Sequence, residues 1–391
     1  MKHDVQVQTL RQLLELREHG RYEMAQEATE VSVSRYVDPA VYEREMSTVF
    51  RQFPQLAGHA SHVRDPGSFM VSDWKNFPFV VVRGQDGVLR GFLNQCRHRG
   101  ARLVSEDTKR THLKAFVCPF HGWVYGLDGT LRSVTREYMF PKLDRCKRGL
   151  VELPVMERDG LVWIHPKPGA ALELEDYLGP IGDDLAHFDL GGLVSFRKNA
   201  VVRKANWKLL IKTYLEGYHV PFLHRDTIAE VFKDGVIHPM TYGKHIRLSA
   251  ARTNIRDVLQ VAEEDWKILE YASVYYSLFP QAFFILHPDY VSINMFHPLG
   301  PEETLWTHEM LYRPEDFPGE KGQGGLQKRF DYTNDVVFDR EDFLVAEDVQ
   351  RGIRFGANDF HTIGTEEALI SRFQANVDRV TGDEEPQPIR S

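Results

Sequence analysis

The sequence predicts an α+β protein of two domains, a small antiparallel β domain followed by a larger one that mixes strands and helices. Three observations predict it. Beyond Phe53, short apolar runs such as FPFVVVRG, LRGFLNQ, LKAFVC and GLVWIHP are separated by Gly, Asp and Pro. Residues 271–298 read as aromatic-rich strands, and Phe330 to Phe355 reads as one long amphipathic helix. Runs of strands followed by helices favour α+β over a doubly wound parallel sheet.

Taken in order, residues 10–17 form a short helix, and Asp38 caps a second one that opens on Pro39, a residue suited to a first helical turn. The small β domain runs to about Pro166, with turns at Gln85-Asp86-Gly87 and Leu127-Asp128-Gly129. A Pro/Gly link covers Pro166 to Ala170. Val201 to Leu223 begins as a strand and becomes helical, while Gly319 to Gly325 reads as a mobile loop.

The chain has 391 residues, enough for two cores, with hydrophobic and charged fractions of 42% and 27% that suit a globular protein. No stretch approaches the roughly 20 apolar residues of a membrane span, and Met1-Lys2-His3-Asp4 lacks a secretory pattern, so the expected compartment is the cytoplasm. Net charge is -8, which argues against nucleic acid as a partner. From Arg90 to Arg148, however, thirteen Lys/Arg stand against five Asp/Glu. That basic island suits either docking of an acidic electron donor or an ordinary solvated surface. Three cysteines argue against a disulfide framework and leave metal binding or packing. Cys96 and Cys118 have a histidine close by; Cys146 has none.

Cys96-Arg-His98 and Cys118-Pro-Phe-His121 each follow a strand-like run, so each hairpin tip offers one thiolate and one imidazole. A Rieske centre needs this mixture, two cysteines on one iron and two histidines on the other, because neutral imidazoles raise the reduction potential. Tetrahedral zinc is the competing metal, although zinc knuckles usually pair like with like. Farther on, His219 and His224 stand five apart, about 140° around a regular helix. Pro221 between them is expected to kink that helix and let both reach one metal. Two histidines and one carboxylate on a face of Fe(II) leave open positions for oxygen.

The segments LNQCRHRGARL and CPFHGWVYGLDG, together with Glu216-x-x-His219-x4-His224, resemble the Rieske non-haem iron oxygenases, the aromatic-ring-hydroxylating family, at its large alpha subunit. The resemblance runs from about Val37 to Gly352. It implies a Rieske domain over 46–166 that carries a [2Fe-2S] cluster on Cys96, His98, Cys118 and His121. That domain would be inserted in a helix-grip catalytic domain built from the helical residues 1–45 and from 167–391. By the same resemblance His219 and His224 bind a mononuclear Fe(II), and the third ligand is Asp342, eight residues before Gln350-x-Gly352; Asp348 is the reserve, and the other acids of that helix read as solvated. Glu216 takes the place of an acid, more often Asp, that carries electrons from a cluster histidine of a neighbouring subunit, here His121, to the iron. Nineteen residues separate His98 from Cys118, a longer loop around 107–114 than many members have.

The implied assembly is a head-to-tail homotrimer, with or without small beta subunits, using O2 and fed by a separate NAD(P)H-dependent reductase directly or through a ferredoxin. No G-x-G-x-x-G opens a helix here, so the nucleotide site belongs to that partner. The substrate is a small molecule. Its pocket is expected from Tyr275, Phe279, Phe283 and Phe296, with His287 and His297 as further candidates and the other histidines structural. Aromatic walls suit a flat ring, the reading preferred here, and equally a quaternary ammonium or betaine undergoing oxidative N-demethylation. A bare electron carrier is the reading of another class. Lys212, one turn before Glu216, is expected to be an exposed lysine, with a pairing to Glu216 or a contact to an anionic substrate group as the alternatives.

Overall fold

The computed structural model describes residues 1–19, 25–72, 74–105, 108 and 111–388. Residues 106, 107, 109 and 110, part of the long loop between His98 and Cys118, lie outside them. The chain divides into two compact units. One comprises Met1–Val49, Leu178–Asp189 and Leu193–Ser391; the other Phe50–Tyr177 and Leu190–Gly192. The smaller unit therefore runs past the Pro/Gly link expected to end it. The physical reason is the helical turn Leu174–Leu178, whose Tyr177 ring packs 6.2 Å from Phe53 and 6.3 Å from Trp163.

The smaller unit is antiparallel throughout. Phe69–Ser72, Phe79–Arg83, Leu89–Leu93 and Glu152–Leu153 form one sheet, and Val155–Arg158, Leu161–Ile164 and Gln55–His59 a second. Phe116–Val117, Val124–Tyr125 and Leu131–Ser133 form a third. Phe92, Phe116, Trp123 and Tyr125 meet in a core that includes Cys96 and Cys118.

The larger unit is built on a seven-stranded antiparallel sheet. Its strands lie in the order Val194–Arg203, Glu303–Tyr312, Tyr290–Gly300, Ala282–Leu286, Ala272–Leu278, His245–Arg252 and Phe232–Tyr242. Six strands form a meander, and the first returns to pair with the last. β-branched and aromatic residues supply both faces. The connection from Arg203 to Phe232 leaves the sheet edge and carries Glu216, His219 and His224. The N-terminal helix, His3–His19, is longer than expected and packs on Phe232–Tyr242. Asp38 caps Pro39–Ser47 as expected. Strand Thr29–Ser32 pairs with Phe360–Ile363 and Gln387–Pro388, tying the early chain to the late one.

Two expectations need correction. Gly319–Gly325 opens a helix, Gly319–Asp331, whose Leu326 and Phe330 are buried against Met310 and Phe317; packing overrides the low helix propensity of its glycines. The long helix after Phe330 is also irregular: Tyr332–Asp342 is π-helical, and Phe343–Arg354 resumes the α form. Among the described residues no helix is long and apolar enough to cross a membrane.

Candidate metal centres and active site

The two Cys/His loops of the smaller unit share one backbone design. In each, the cysteine N–H donates to the carbonyl five residues on (Ala101, Trp123), and a glycine N–H four residues on returns to the cysteine carbonyl at 2.9 and 3.0 Å. Gly100 and Gly122 make this turn at φ 80° and 68°, which a side chain would strain. The result is two matched tips, with Cys96 and Cys118 buried and His98 and His121 half-buried at the surface. Tyr125 OH lies 3.2 Å from Cys96 Sγ, and the Arg97 N–H donates to the same hydroxyl.

His98 stacks on Trp123 at 4.8 Å and stands 4.8 Å from His121, centroid to centroid. His121 Nδ1 is buried with no hydrogen-bond partner, whereas its Nε2 meets Arg99 at 3.0 Å. An orphaned ring nitrogen facing inward, opposite two buried thiols, fits a metal ligand. Among the described residues, the one His/Cys/Asp/Glu group whose ligand atoms lie within 4.8 Å of one another is found elsewhere. Two thiols and two imidazoles on matched tips are the donor set of a two-iron cluster, with the thiolates on one iron and the imidazoles on the other.

That converging group is His219, His224 and Asp342. Asp342 Oδ1 lies 3.5 Å from His219 Nε2 and 3.2 Å from His224 Nε2. The sequence places a Pro221 kink between the histidines; the structure breaks the helix earlier. Trp207–Lys212 ends before Thr213, and His219 and His224 flank a separate turn, Val220–Leu223, where Pro221 fits the first turn. Glu216 lies outside any helix, yet keeps its three-residue contact with His219. One carboxylate oxygen accepts from His219 Nδ1 and the other from its backbone N–H at 3.1 Å.

His224 is held the same way from the other side. Glu341 accepts from His224 Nδ1 at 2.6 Å and from Thr227 Oγ1 at 2.9 Å. Both histidines thus set Nδ1 against an outer carboxylate and turn Nε2 towards Asp342. Burial works to lower their basicity, but hydrogen bonds and charge from Glu216 and Asp342 on His219, and from Asp342 and Glu341 on His224, raise it overall. The Asp342 carboxyl is pushed up by burial against the pull of the histidines. Two imidazole nitrogens and a buried carboxylate converging on one point suit a divalent iron, with the outer carboxylates fixing both rings.

The remaining acids of that helix are occupied or exposed. Asp339 and Glu347 pair with Arg203, and Asp348 pairs with Arg351 on the surface, outside the group. Gln350 is buried and accepts from the Asn206 N–H at 2.9 Å, joining this helix to the start of Trp207–Lys212. Lys212 is not the exposed lysine expected: it is 6% exposed, points into the core and donates to Tyr36 OH and to Gln374. Cys146 is exposed and free.

A cavity of about 320 Å³ opens beside His219, His224 and Asp342. Alternation puts Leu248, Ala250 and Arg252 of one strand, Ser273 and Tyr275 of the next, and Ile285 and His287 beyond it on the cavity face. Tyr290 lies beside His287, and Tyr214, Tyr332 and Phe338 complete the lining. Of the four pocket residues expected from the sequence, only Tyr275 lines it. Phe283 lies beneath Tyr214, stacked at 4.8 Å, Phe296 stands 6.1 Å from the same ring, and Phe279 is buried past a strand end. Tyr214 takes the wall they were assigned. His287 is on the wall; His297 is not.

Comparison with known proteins bears on both units. Residues 53–143 match the model of the Rieske [2Fe-2S] domain, and residues 190–383 that of the ring hydroxylating alpha subunit, catalytic domain. Choline monooxygenase of Spinacia oleracea is 27% identical over 82% of this chain and 71% of its own. The carnitine monooxygenase oxygenase subunit of Escherichia coli K12 is 26% identical over 84% and 85%. The chlorobenzene dioxygenase alpha subunit of Cupriavidus sp. PS12 is 32% identical over 54% and 49%. The fold matches that of the quaternary ammonium Rieske monooxygenase CntA with L-carnitine, at a TM-score of 0.77 and 23% identity over 91% of this chain and 96% of that one.

Proposed function

This chain belongs to the Rieske non-haem iron oxygenases as an alpha subunit of the ring-hydroxylating type, and from that premise we propose that it monooxygenates a quaternary ammonium compound. Its cofactors are a [2Fe-2S] cluster and a mononuclear iron. We assign the first to Cys96, His98, Cys118 and His121, and the second to His219, His224 and Asp342. When bound, the iron takes up dioxygen and the cluster supplies electrons.

The observation that carries the substrate reading is the cavity wall beside the three iron ligands. Tyr214, Tyr275, Tyr290 and Tyr332 line it, and aromatic rings of this kind attract a methylated ammonium. The choline and carnitine monooxygenase relatives support it more than ring hydroxylation, which the chlorobenzene dioxygenase relative keeps as the second reading. The reaction inserts one oxygen atom into a C–H bond next to nitrogen and releases the other as water, consuming two electrons and two protons. The chain's own part is to hold that C–H against the open face of the site, while Glu216 and Glu341 keep both imidazoles aimed.

Electrons come from a separate NAD(P)H-dependent reductase, with or without a ferredoxin, and the basic stretch from Arg90 to Arg148 suits an acidic donor. Glu216 receives them from His121 of a neighbouring copy in a homotrimer. A single turnover of the reduced, iron-loaded protein tests the reading without any partner. Quaternary ammonium compounds should yield an N-demethylated or N-adjacent hydroxylated product by mass spectrometry; turnover of aromatic hydrocarbons alone would overturn it.

A further inference from the structure

Arg252 ends the strand His245–Arg252 and lies on the cavity face with Leu248 and Ala250. One guanidinium nitrogen, Nη2, donates to Ser273 Oγ at 3.2 Å. Its Nε is buried with no hydrogen-bond partner, and among the described residues no carboxylate pairs with it. The carboxylates lining the cavity are spoken for or peripheral: Glu216 and Asp342 engage the histidines, and Asp234 is exposed on the strand Phe232–Tyr242.

A second buried nitrogen without a partner, His287 Nε2, lies on the same wall. His287 stacks on Tyr290 at 4.1 Å. Burial, followed by the Arg252 charge, holds the His287 pKa down at about 3, so this ring is neutral at physiological pH. A permanent guanidinium and a neutral imidazole, both with unmet hydrogen-bonding capacity, therefore stand on one wall of a cavity whose other cationic side chain, Lys233, is exposed on the strand Phe232–Tyr242 and whose further polar lining includes Thr213, Thr333 and the iron-site groups. Leaving such groups unpaired in a buried site is costly, and a bound anion satisfies them.

We propose that Arg252, assisted by His287, anchors a carboxylate of the substrate. The substrate is then a betaine, an ammonium joined to a carboxylate, and not a cationic alcohol. This inference rests on the quaternary ammonium reading above. The cation meets the tyrosine faces and the carboxylate meets the guanidinium fork. An alcohol carrying the same ammonium leaves that charge unanswered and is discriminated against.

Calorimetric binding to the anaerobic, iron-loaded protein tests it with two matched pairs. These are trimethylammonioacetate against choline, and 4-trimethylammoniobutanoate against 4-trimethylammoniobutan-1-ol. At least one carboxylate should bind about 10- to 100-fold more tightly than its alcohol. Arg252→Gln should erase that difference, and Arg252→Lys should keep part of it, because charge survives without the planar fork. Equal binding within both pairs of the wild type overturns the proposal. So does an Arg252→Gln variant, with unchanged cluster spectrum and melting temperature, that weakens acid and alcohol alike. The carbon isostere 5,5-dimethylhexanoate separates this from the underlying reading. If it or benzoate binds as well as the butanoate betaine, and binding falls in Arg252→Gln, the anion anchor stands and the ammonium reading fails.

Discussion

Glu341 accepts a hydrogen bond from Nδ1 of His224 at 2.6 Å, on the side of the imidazole away from Asp342. Consecutive residues of an α-helix point about 100° apart and do not serve one small target. Here they do, because the His224 ring stands between them, and the stretch that carries them, Tyr332–Asp342, is π-helical, a form that concentrates at functional sites. Glu341 is therefore a positioning residue. Glu341→Leu should lower iron retention or turnover about 10- to 100-fold, with Glu341→Gln, which keeps an acceptor, falling between. Iron per chain and single-turnover yield read the effect; a Glu341→Leu protein with full iron and full turnover refutes the role.

The assignment of the third ligand separates two acids six residues apart. Asp342 is 3% exposed and faces both histidines, whereas Asp348 lies on the surface with Arg351. Asp342→Asn should leave the [2Fe-2S] spectrum intact and reduce bound iron from three per chain towards two. Asp348→Asn should keep all three. Metal analysis with low-temperature EPR decides, and iron loss from the Asp348 variant alone would transfer the role.

Glu216 touches His219 through both carboxylate oxygens, one on the ring and one on the backbone. Glu216→Gln keeps the shape and removes the charge. It should preserve both metal centres and substrate affinity while slowing electron delivery, so kcat falls about 10- to 100-fold with KM little changed. Rapid-mixing absorbance of the reduced cluster reads that step directly. Cluster reoxidation at the wild-type rate would remove Glu216 from the electron path.

Much of this was legible in the sequence, because metal chemistry demands particular residue types at short spacing. The Cys96/His98 and Cys118/His121 loops and the His219/His224 pair are local, and the structure brings Asp342 to those histidines. Glu341 was hidden because adjacent acids on a helix read as a solvated face, and nothing in the residue pattern announces a π-helical stretch. The pocket was misread for a different reason. Strand alternation says that half of a run of aromatics faces each way, but not that Tyr214 would cover Phe283. Arg252 went unnoticed since a single arginine at a strand end carries no pattern; only its neighbours across the sheet reveal the cavity. Lys212 looked exposed because its partners, Tyr36 and Gln374, are more than 160 residues away.

The helix that leads into the ligand segment rests on a buried ion pair. Lys208 donates to Glu45 Oε1 at 2.5 Å, and the other Glu45 oxygen accepts from Trp207 Nε1 at 2.8 Å. Both charged side chains are almost wholly buried, 0% and 1% exposed. Burial depresses the lysine pKa, opposed by the Glu45 charge. Removing one partner strands the other charge in a dry core, a cost of about 3–5 kcal/mol. Lys208→Met should thus destabilise the protein by about that amount, whereas Lys208→Met with Glu45→Gln should recover part of it, since the amide still serves Trp207. Urea unfolding of the apo forms measures both. If Lys208→Met lies within about 1 kcal/mol of the wild type, the pair behaves like an exposed one, and the anchoring of Trp207–Lys212 must come from apolar packing of Trp207 against Phe373 instead.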